Sequence, residues 1–130
     1  MKSFRKIAGV IMVVGLLTSA MPGDGVMTKN GKQVVINTTS LCTNVKGYIG
    51  TTPLKIYISN NKIEKIEALP NDETPKYFFK VKKQMLDKWN GLTVNKALKE
   101  KVDGVTGATL SSDAVRTNVQ RGLDYYKKKK

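Results

Sequence analysis

The sequence contains no histidine and only one cysteine, Cys42. These absences remove the usual protein ligand sets for zinc, haem and iron–sulfur clusters. They also exclude the Ser-His-Asp and Cys-His arrangements of nucleophilic enzymes, and one cysteine cannot close a disulfide within the chain. A lone cysteine could pair with another molecule, but we expect Cys42 to be buried and inert, as free cysteines commonly are.

Acidic residues are also scarce, because 10 of them face 23 lysines and arginines, giving a net charge of +13. Four of the lysines form a tail at residues 127–130. Such a tail could contact anionic lipid or an acidic partner, but cations also suit the end of a helix, and we favour a solvated helix end. No motif interleaves aromatic and base-reading residues, so we expect no nucleic-acid partner.

A long apolar run occurs only at the N-terminus, where residues 7–20 are uncharged and largely apolar and follow three basic residues. The run is shorter than the roughly 20 residues that a spanning helix needs. Residues 1–20 are therefore predicted to be a secretory signal peptide, with an uncleaved anchor as the alternative. Cleavage would lower the net charge from +13 to +10 because three basic residues are removed. The mature chain is expected in the periplasm or on the outer face of the cytoplasmic membrane.

Residues 21–44 are predicted to be a linker followed by an extended segment. Pro22 and several glycines interrupt residues 21–32. Residues 33–41 are rich in β-branched side chains, which favour a strand or an extended arm. The remaining chain, residues 45–126, is long enough for one small domain.

Alternating apolar residues from Leu54 to Ile58 predict a strand with one buried face. Asn60-Asn61 suits a hairpin turn because asparagine tolerates positive φ angles. A second strand through Ile66 and Ala68 completes the hairpin. Ile63 is off the alternation, which indicates either a bulge or the first residue of the strand.

Helical patterns cover residues 77–89, 93–100 and 112–126. Thr74 and Pro75 are suited to start the first helix, and Gly91 to end it. Gly122 in the last helix permits close packing against the sheet. We therefore predict an α+β fold, a single small domain with an antiparallel sheet around a central hairpin, packed by two or three helices.

Residues 103–112 combine two glycines with several hydroxyl side chains and lead directly into the last predicted helix. Ser111 and Ser112 are candidate N-cap residues, and a helix N-terminus suits a phosphate because its N–H groups lack partners. On these grounds alone, a plain capped turn is favoured over a cofactor site.

The segment Asp103-Gly104-Val105-Thr106-Gly107-Ala108-Thr109 resembles the flavinylation motif of the FMN-binding domain family, which includes small domains of the sodium-pumping NADH:quinone oxidoreductase and of the Rnf complex. The resemblance implies a flavin transferase that takes FAD as donor and esterifies FMN phosphate onto Thr109. The implied supporting motif is Asp103, Thr106, Gly107 and Ala108. Leu110, Ser111 and Ser112 complete the expected site, and Ser111 or Ser112 is expected to help hold the ester phosphate.

Two upstream elements extend the resemblance over residues 45–126. Gly47-Tyr48-Ile49-Gly50 resembles the family's Gly-Tyr-x-Gly element, and Glu73-Thr74-Pro75 resembles its Glu-Thr-Pro element. The family usually continues the second element with glycines, whereas this chain has Lys76-Tyr77-Phe78. The resemblance implies that Tyr48, Glu73 and Thr74 lie near the flavin, with Glu73 or Thr74 bonding its ring or ribityl chain. From the residues alone, Tyr48 is interpreted as a half-buried strand aromatic.

The resemblance implies an exported electron carrier with covalent FMN, served by a flavin transferase and by a membrane electron-transport complex or another redox protein. Contact with the membrane surface is a further expectation. The alternative is an exported binding or adaptor module of the same fold without covalent flavin. Non-covalent FMN binding is a third interpretation. A stand-alone enzyme is not expected, because the chain has no second domain to supply a substrate site.

Overall fold

The computed structural model describes residues 25–130, and the predicted signal peptide lies outside this range. The strands are β1 Met27–Asn30, β2 Gln33–Asn37, β3 Leu54–Ser59 and β4 Lys62–Ala68. The helices are α1 Pro75–Met85, α2 Val94–Lys99 and α3 Thr109–Lys129, with a 3₁₀ helix, Leu86–Trp89, directly after α1. The strands form one antiparallel sheet in the order β1-β2-β3-β4. The predicted α+β fold is therefore confirmed.

The central hairpin of β3 and β4 has the predicted features. Asn60 and Asn61 adopt φ angles of 53° and 61°, as a two-residue hairpin turn requires. The pairing shifts between Tyr57 and Ile58, so a bulge brings Ile63 back to the buried face of β4.

The segment interpreted as a linker contains a strand. Met27–Asn30 pairs with β2 and forms one edge of the sheet, although its residues lack the apolar alternation of a typical strand. The β-rich segment that follows is shorter than predicted, because β2 ends at Asn37. There the Asn37 side chain accepts hydrogen bonds from the N–H and hydroxyl groups of Thr39, which turn the chain out of the sheet.

Helix α3 is fixed on the sheet by a close approach and by a buried polar contact. A Cβ at Gly122 would lie 2.7 Å from Cδ1 of Ile56, so glycine lets the helix approach the sheet. Thr38 donates from its hydroxyl to the side chain of Asn118 at 2.5 Å and accepts from the N–H of Leu54 at 2.9 Å. These contacts fix α3 and therefore the position of its first turn.

Most predicted core residues are buried, including the apolar stripes of α1 and α3 and the single cysteine, Cys42. Within residues 25–130, no helix has both the length and the apolar character needed to span a membrane. The same residues contain no cluster of three or more potential metal-ligating side chains.

Candidate functional site

Three separate parts of the chain meet around a cavity of about 460 Å³. They are the loop of residues 47–50, the start of α1, and the turn that leads into α3. The cavity is lined by Tyr48, Thr74, Tyr77, Gly107, Ala108, Thr109, Leu110 and Ser111. All three sequence elements that resemble the flavin family therefore contribute to one wall or another of the same cavity.

Thr109 is exposed and is the first residue of α3. The helix begins three residues earlier than the sequence pattern indicated, with Ala108 as its N-cap. The predicted capping role of Ser111 and Ser112 is therefore wrong, because both lie inside the first turn and are buried. Since Ala108 has no side-chain acceptor, the first N–H groups of α3 are left to other acceptors.

The turn before α3 is held by the hydroxyl of Ser112. Its Oγ accepts a hydrogen bond from the N–H of Val105 at 2.9 Å and donates to the carbonyl of Ala108 at 2.7 Å. Gly107 between them has a φ angle of +85°, which residues with a Cβ rarely adopt. Ser112 therefore fixes the turn that presents Thr109, and its hydroxyl is already engaged.

Arg116 is a second support of this turn that the sequence analysis missed. Its guanidinium donates to the carbonyl of Val102 at 2.9 Å and pairs with Asp113. A Cβ at Gly104 would lie 3.1 Å from Cβ of Ser112 and 3.2 Å from the Arg116 guanidinium. The sequence signal was the spacing of one helical turn between Ser112 and Arg116, which places both side chains on one face of α3.

Glu73 connects all three parts of the site through its buried carboxylate. Oε1 accepts from the N–H of Tyr48 at 2.7 Å and from the hydroxyl of Ser111 at 2.5 Å. Oε2 accepts from the N–H groups of Ile49 at 2.7 Å and Gly50 at 3.0 Å. Four donors thus occupy both oxygens, so the carboxylate holds the loop of residues 47–50 against the first turn of α3.

Burial by itself would raise the pKa of Glu73. The hydrogen bonds from Ser111, Gly50, Ile49 and Tyr48 outweigh it and hold the pKa of this carboxyl below its ordinary value. Glu73 is therefore ionised at neutral pH and accepts from all four donors.

Gly47 is required by the same network. A Cβ at this position would lie 2.1 Å from Oε1 of Glu73 and 3.2 Å from the Cα of Ser111. A side chain at this position would push away the carboxylate or the helix backbone, and the hydrogen bonds of Glu73 described above would break. The glycine that opens the Gly-Tyr-x-Gly element is thus explained by the close approach of Glu73.

Tyr48 differs from its interpretation as a half-buried strand residue. It lies in the loop, outside the strands, with 74% of its surface exposed. Its backbone N–H is bound by Glu73 while its side chain lines the cavity. The alternation of neighbouring residues could not predict this, because the carboxylate that shapes the loop is 25 positions away.

The other walls come from the starts of two helices. Thr74 is the N-cap residue of α1 and Pro75 is its first residue, as predicted. Tyr77, which the sequence analysis treated only as part of a helix, also lines the cavity and is 46% exposed. Its position off the buried face of α1 was the signal that could have identified it. Leu110 faces the same cavity and is 54% exposed.

Asp103 and Thr106 do not line this cavity. Asp103 is exposed and borders a separate open groove with Lys101 and Gly104, and Thr106 is exposed in the turn. The structure therefore divides the motif into two sets. Gly107, Ala108 and Thr109 face the cavity, and Asp103 and Thr106 lie outside its lining.

The cavity suits a phosphate-linked flavin. An exposed hydroxyl stands on the first residue of a helix whose N-terminal N–H groups have no side-chain cap, and such an end favours a phosphate. Ala108 adds little bulk beside it. The volume lies within the range of small-molecule sites, and the aromatic and aliphatic walls provide the apolar lining such sites usually have.

Comparison with known proteins gave one family match. A model of the FMN-binding domain family matches residues 47–124. Comparison with curated proteins and with solved structures gave no match. The matched range covers more than half of the chain, begins at Gly47 in the loop of the site and ends within helix α3. The chain belongs to the FMN-binding domain family and is a flavin-binding module.

Proposed function

We propose that this protein is an exported electron carrier in which FMN is joined by its phosphate to the hydroxyl of Thr109. The observation that carries the proposal is the position of Thr109. Thr109 is an exposed residue, begins α3 and lies in the wall of a cavity built by three separate elements of the chain. A hydroxyl in this place is open both to a modifying enzyme and to the cavity.

The modification would be a transfer from FAD by a flavin transferase. The Thr109 oxygen forms a bond to the phosphorus on the flavin side of the diphosphate, the P–O bond to the adenylate breaks, and AMP leaves as the hydroxyl proton is released. No oxidant or reductant is needed. Asp103 and Thr106, which lie outside the cavity lining, are then available to contact the transferase while Thr109 is modified.

The residues in and around the cavity have separate roles in this proposal. The N–H groups at the start of α3 favour the phosphate, and the side chains of Tyr48, Tyr77 and Leu110 offer apolar surface to the flavin ring. Thr74 provides a hydroxyl in the α1 side of the cavity for the ribityl chain. Glu73 is assigned a positioning role instead of direct bonding to the ring, since its oxygens already have four donors.

FMN, when bound, supplies the redox chemistry by accepting and releasing one or two electrons. The protein's part is to hold and expose it. The cavity is open to solvent through exposed residues such as Tyr48 and Leu110, which leaves room for a partner to approach. A membrane electron-transport complex or another redox protein on the outer side of the cytoplasmic membrane is the proposed partner.

The test is the intact mass of the chain after export from cells that also make a flavin transferase. We expect the parent to gain the mass of one FMN less one water, and Thr109→Ala to gain nothing. Thr117→Ala is the matched control, because it removes a hydroxyl from α3 away from the cavity and bonded to the Asp113 carbonyl. It is expected to be modified like the parent.

Two results would overturn the covalent proposal. One is an unmodified parent in cells where a known acceptor is flavinylated, and the other is a full mass gain on Thr109→Ala. Colour that washes out on denaturation would instead support non-covalent binding. The carrier role is tested separately by adding NADH to host membranes and the loaded protein, where loss of the oxidised flavin absorbance is expected.

A further inference from the structure

Helix α1 carries an unusual charge pattern on its solvent side. Lys76, Lys80 and Lys83 follow one another at spacings of four and three residues, so they form one line along the helix. All three are exposed, and the helix contains no acidic residue. We call this line the basic face of α1.

This pattern works against the stability of the helix. Like charges three or four residues apart repel each other by a few tenths of a kcal/mol, and Lys76 lies in the first turn, where the helix dipole disfavours a cation. Within residues 25–130, no carboxylate lies within salt-bridge distance of these lysines. Lys83 lies in the last turn, where the dipole favours a cation, but Lys76 and Lys80 have no such support within the helix and are free to face an anionic surface.

Two exposed aromatic side chains flank the basic face. Phe79 is 58% exposed, and its ring lies 5.7 Å from the ammonium group of Lys83. On the other flank, the ring of Tyr77 lies 5.9 Å from the ammonium group of Lys76. Lysines attract anionic lipid headgroups, and exposed aromatic rings beside them favour the interface between water and lipid.

We propose that the basic face of α1 docks this protein on an anionic lipid surface. Lipid is favoured over an acidic protein because the face contains lysines and no arginine. Protein interfaces are enriched in arginine and depleted in lysine, whereas an ammonium group on a flexible stem suits the diffuse charge of lipid headgroups. The proposal does not depend on the flavin, so either one can fail without the other.

The test measures binding of the exported full chain to vesicles of phosphatidylcholine alone and to vesicles that contain phosphatidylglycerol as well. We expect binding only to the anionic vesicles. Changing Lys76, Lys80 and Lys83 together to Glu is expected to weaken it by at least about 100-fold, because each lysine near such a surface contributes roughly fivefold and each new carboxylate is repelled. Glutamate and lysine have similar helix propensities and all three positions are exposed, so circular dichroism should show a folded protein.

The matched control changes three exposed lysines of the sheet region to Glu, namely Lys29 and Lys62 on strands and Lys32 in the turn between β1 and β2. It alters the net charge by the same amount, and we expect it to weaken binding less than about fivefold, since charges away from the contact are screened. Phe79→Ser, which leaves the charge unchanged, should weaken binding several-fold.

An amine-acetylation footprint adds a measurement that holds even if the N-terminal segment also binds lipid. Anionic vesicles should protect Lys76, Lys80 and Lys83 and leave Lys29 and Lys32 reactive. The proposal is overturned if the parent does not distinguish the two kinds of vesicle, which would leave an acidic protein as the partner. It is also overturned if both triple variants bind equally, or if protection falls on residues 127–130 and not on α1.

Discussion

The carboxylate of Glu73 shows how one side chain can organise a site by holding separate parts of the chain together. It accepts from three consecutive backbone N–H groups of the loop at residues 48–50 and from a hydroxyl in the first turn of α3. Without it, the loop would expose three unpaired donors. The wall formed by Tyr48 therefore depends on a residue that precedes α1.

We expect Glu73→Gln to lower the free energy of unfolding by about 2–3 kcal/mol at pH 7, because hydrogen bonds to a charged acceptor are worth more than those to an amide. The amide NH₂ would also face backbone donors. Chemical denaturation at pH 7 measures the loss. Glu100→Gln, an exposed glutamate between α2 and the motif, serves as control and should change the stability by less than about 0.5 kcal/mol.

The contribution of Glu73 to the free energy of unfolding depends on pH with a definite sign. The pKa of Glu73 is lower in the folded protein than in the unfolded chain, so between those two values the unfolded chain binds more protons. Its stabilising contribution is therefore complete above the ordinary glutamate pKa of about 4.3 and is lost as the pH falls through the folded pKa. Glu73→Gln should therefore lose less stability than the parent as the pH falls. If the two proteins lose the same amount of stability, the lowered pKa of Glu73 is contradicted.

At the scale of elements, helix α3 carries both the close packing and the site. Gly122→Ala would improve helix propensity by about 1 kcal/mol, but its Cβ would lie 2.7 Å from Cδ1 of the buried Ile56. Overpacking costs about 1–3 kcal/mol, so we expect a net loss of about 1 kcal/mol in the free energy of unfolding.

The matched background for this variant is Ile56→Val, which removes the contacted methyl group. There Gly122→Ala should cost less, although Cγ2 of Thr38 still lies 3.0 Å from the new Cβ. A double-mutant cycle by chemical denaturation measures the coupling. If the cost of Gly122→Ala is the same in both backgrounds, contact with Ile56 is not its cause.

The same elements show which features local sequence determines. The hairpin was predictable because alternation, the Asn-Asn turn and the bulge are encoded within fifteen residues. The start of α1 was predictable because Pro75 fixes it locally. Strand β1 was missed, since its pairing with β2 and not its own polarity creates it. The serines of α3 were misplaced because their hydroxyls are used in contacts with Glu73 and with the turn at Val105.

The residues of the candidate site were predicted only in part, because local sequence identifies some of them and the packing of elements decides the others. The motif and the two upstream elements identified most residues that line the cavity. Tyr77 and Arg116 were missed, because their roles follow from how α1 and α3 are placed. The separation of Asp103 from the cavity is likewise a property of the folded turn and not of the motif.

For the molecule as a whole, loading with flavin should raise thermal stability. A phosphate on the first residue of a 21-residue helix adds negative charge where the dipole favours it by about 0.3–1 kcal/mol, and ring contacts in the cavity add to this. We expect the midpoint of thermal unfolding to rise by several degrees. Calorimetry of loaded and unloaded parent protein measures it, with Thr109→Ala from the same cells as reference. Equal midpoints would show that the flavin makes no stabilising contact.

The way in which Ser112 holds the turn also has a consequence for the order of events during maturation. The hydroxyl that connects Val105 to Ala108 reaches both only after α3 has formed, and the core of the described residues is built from the protein's own side chains. Folding therefore need not wait for flavin. We expect the chain to fold first and Thr109 to be modified afterwards. A short peptide of residues 103–109 should not be modified, because it lacks the folded turn.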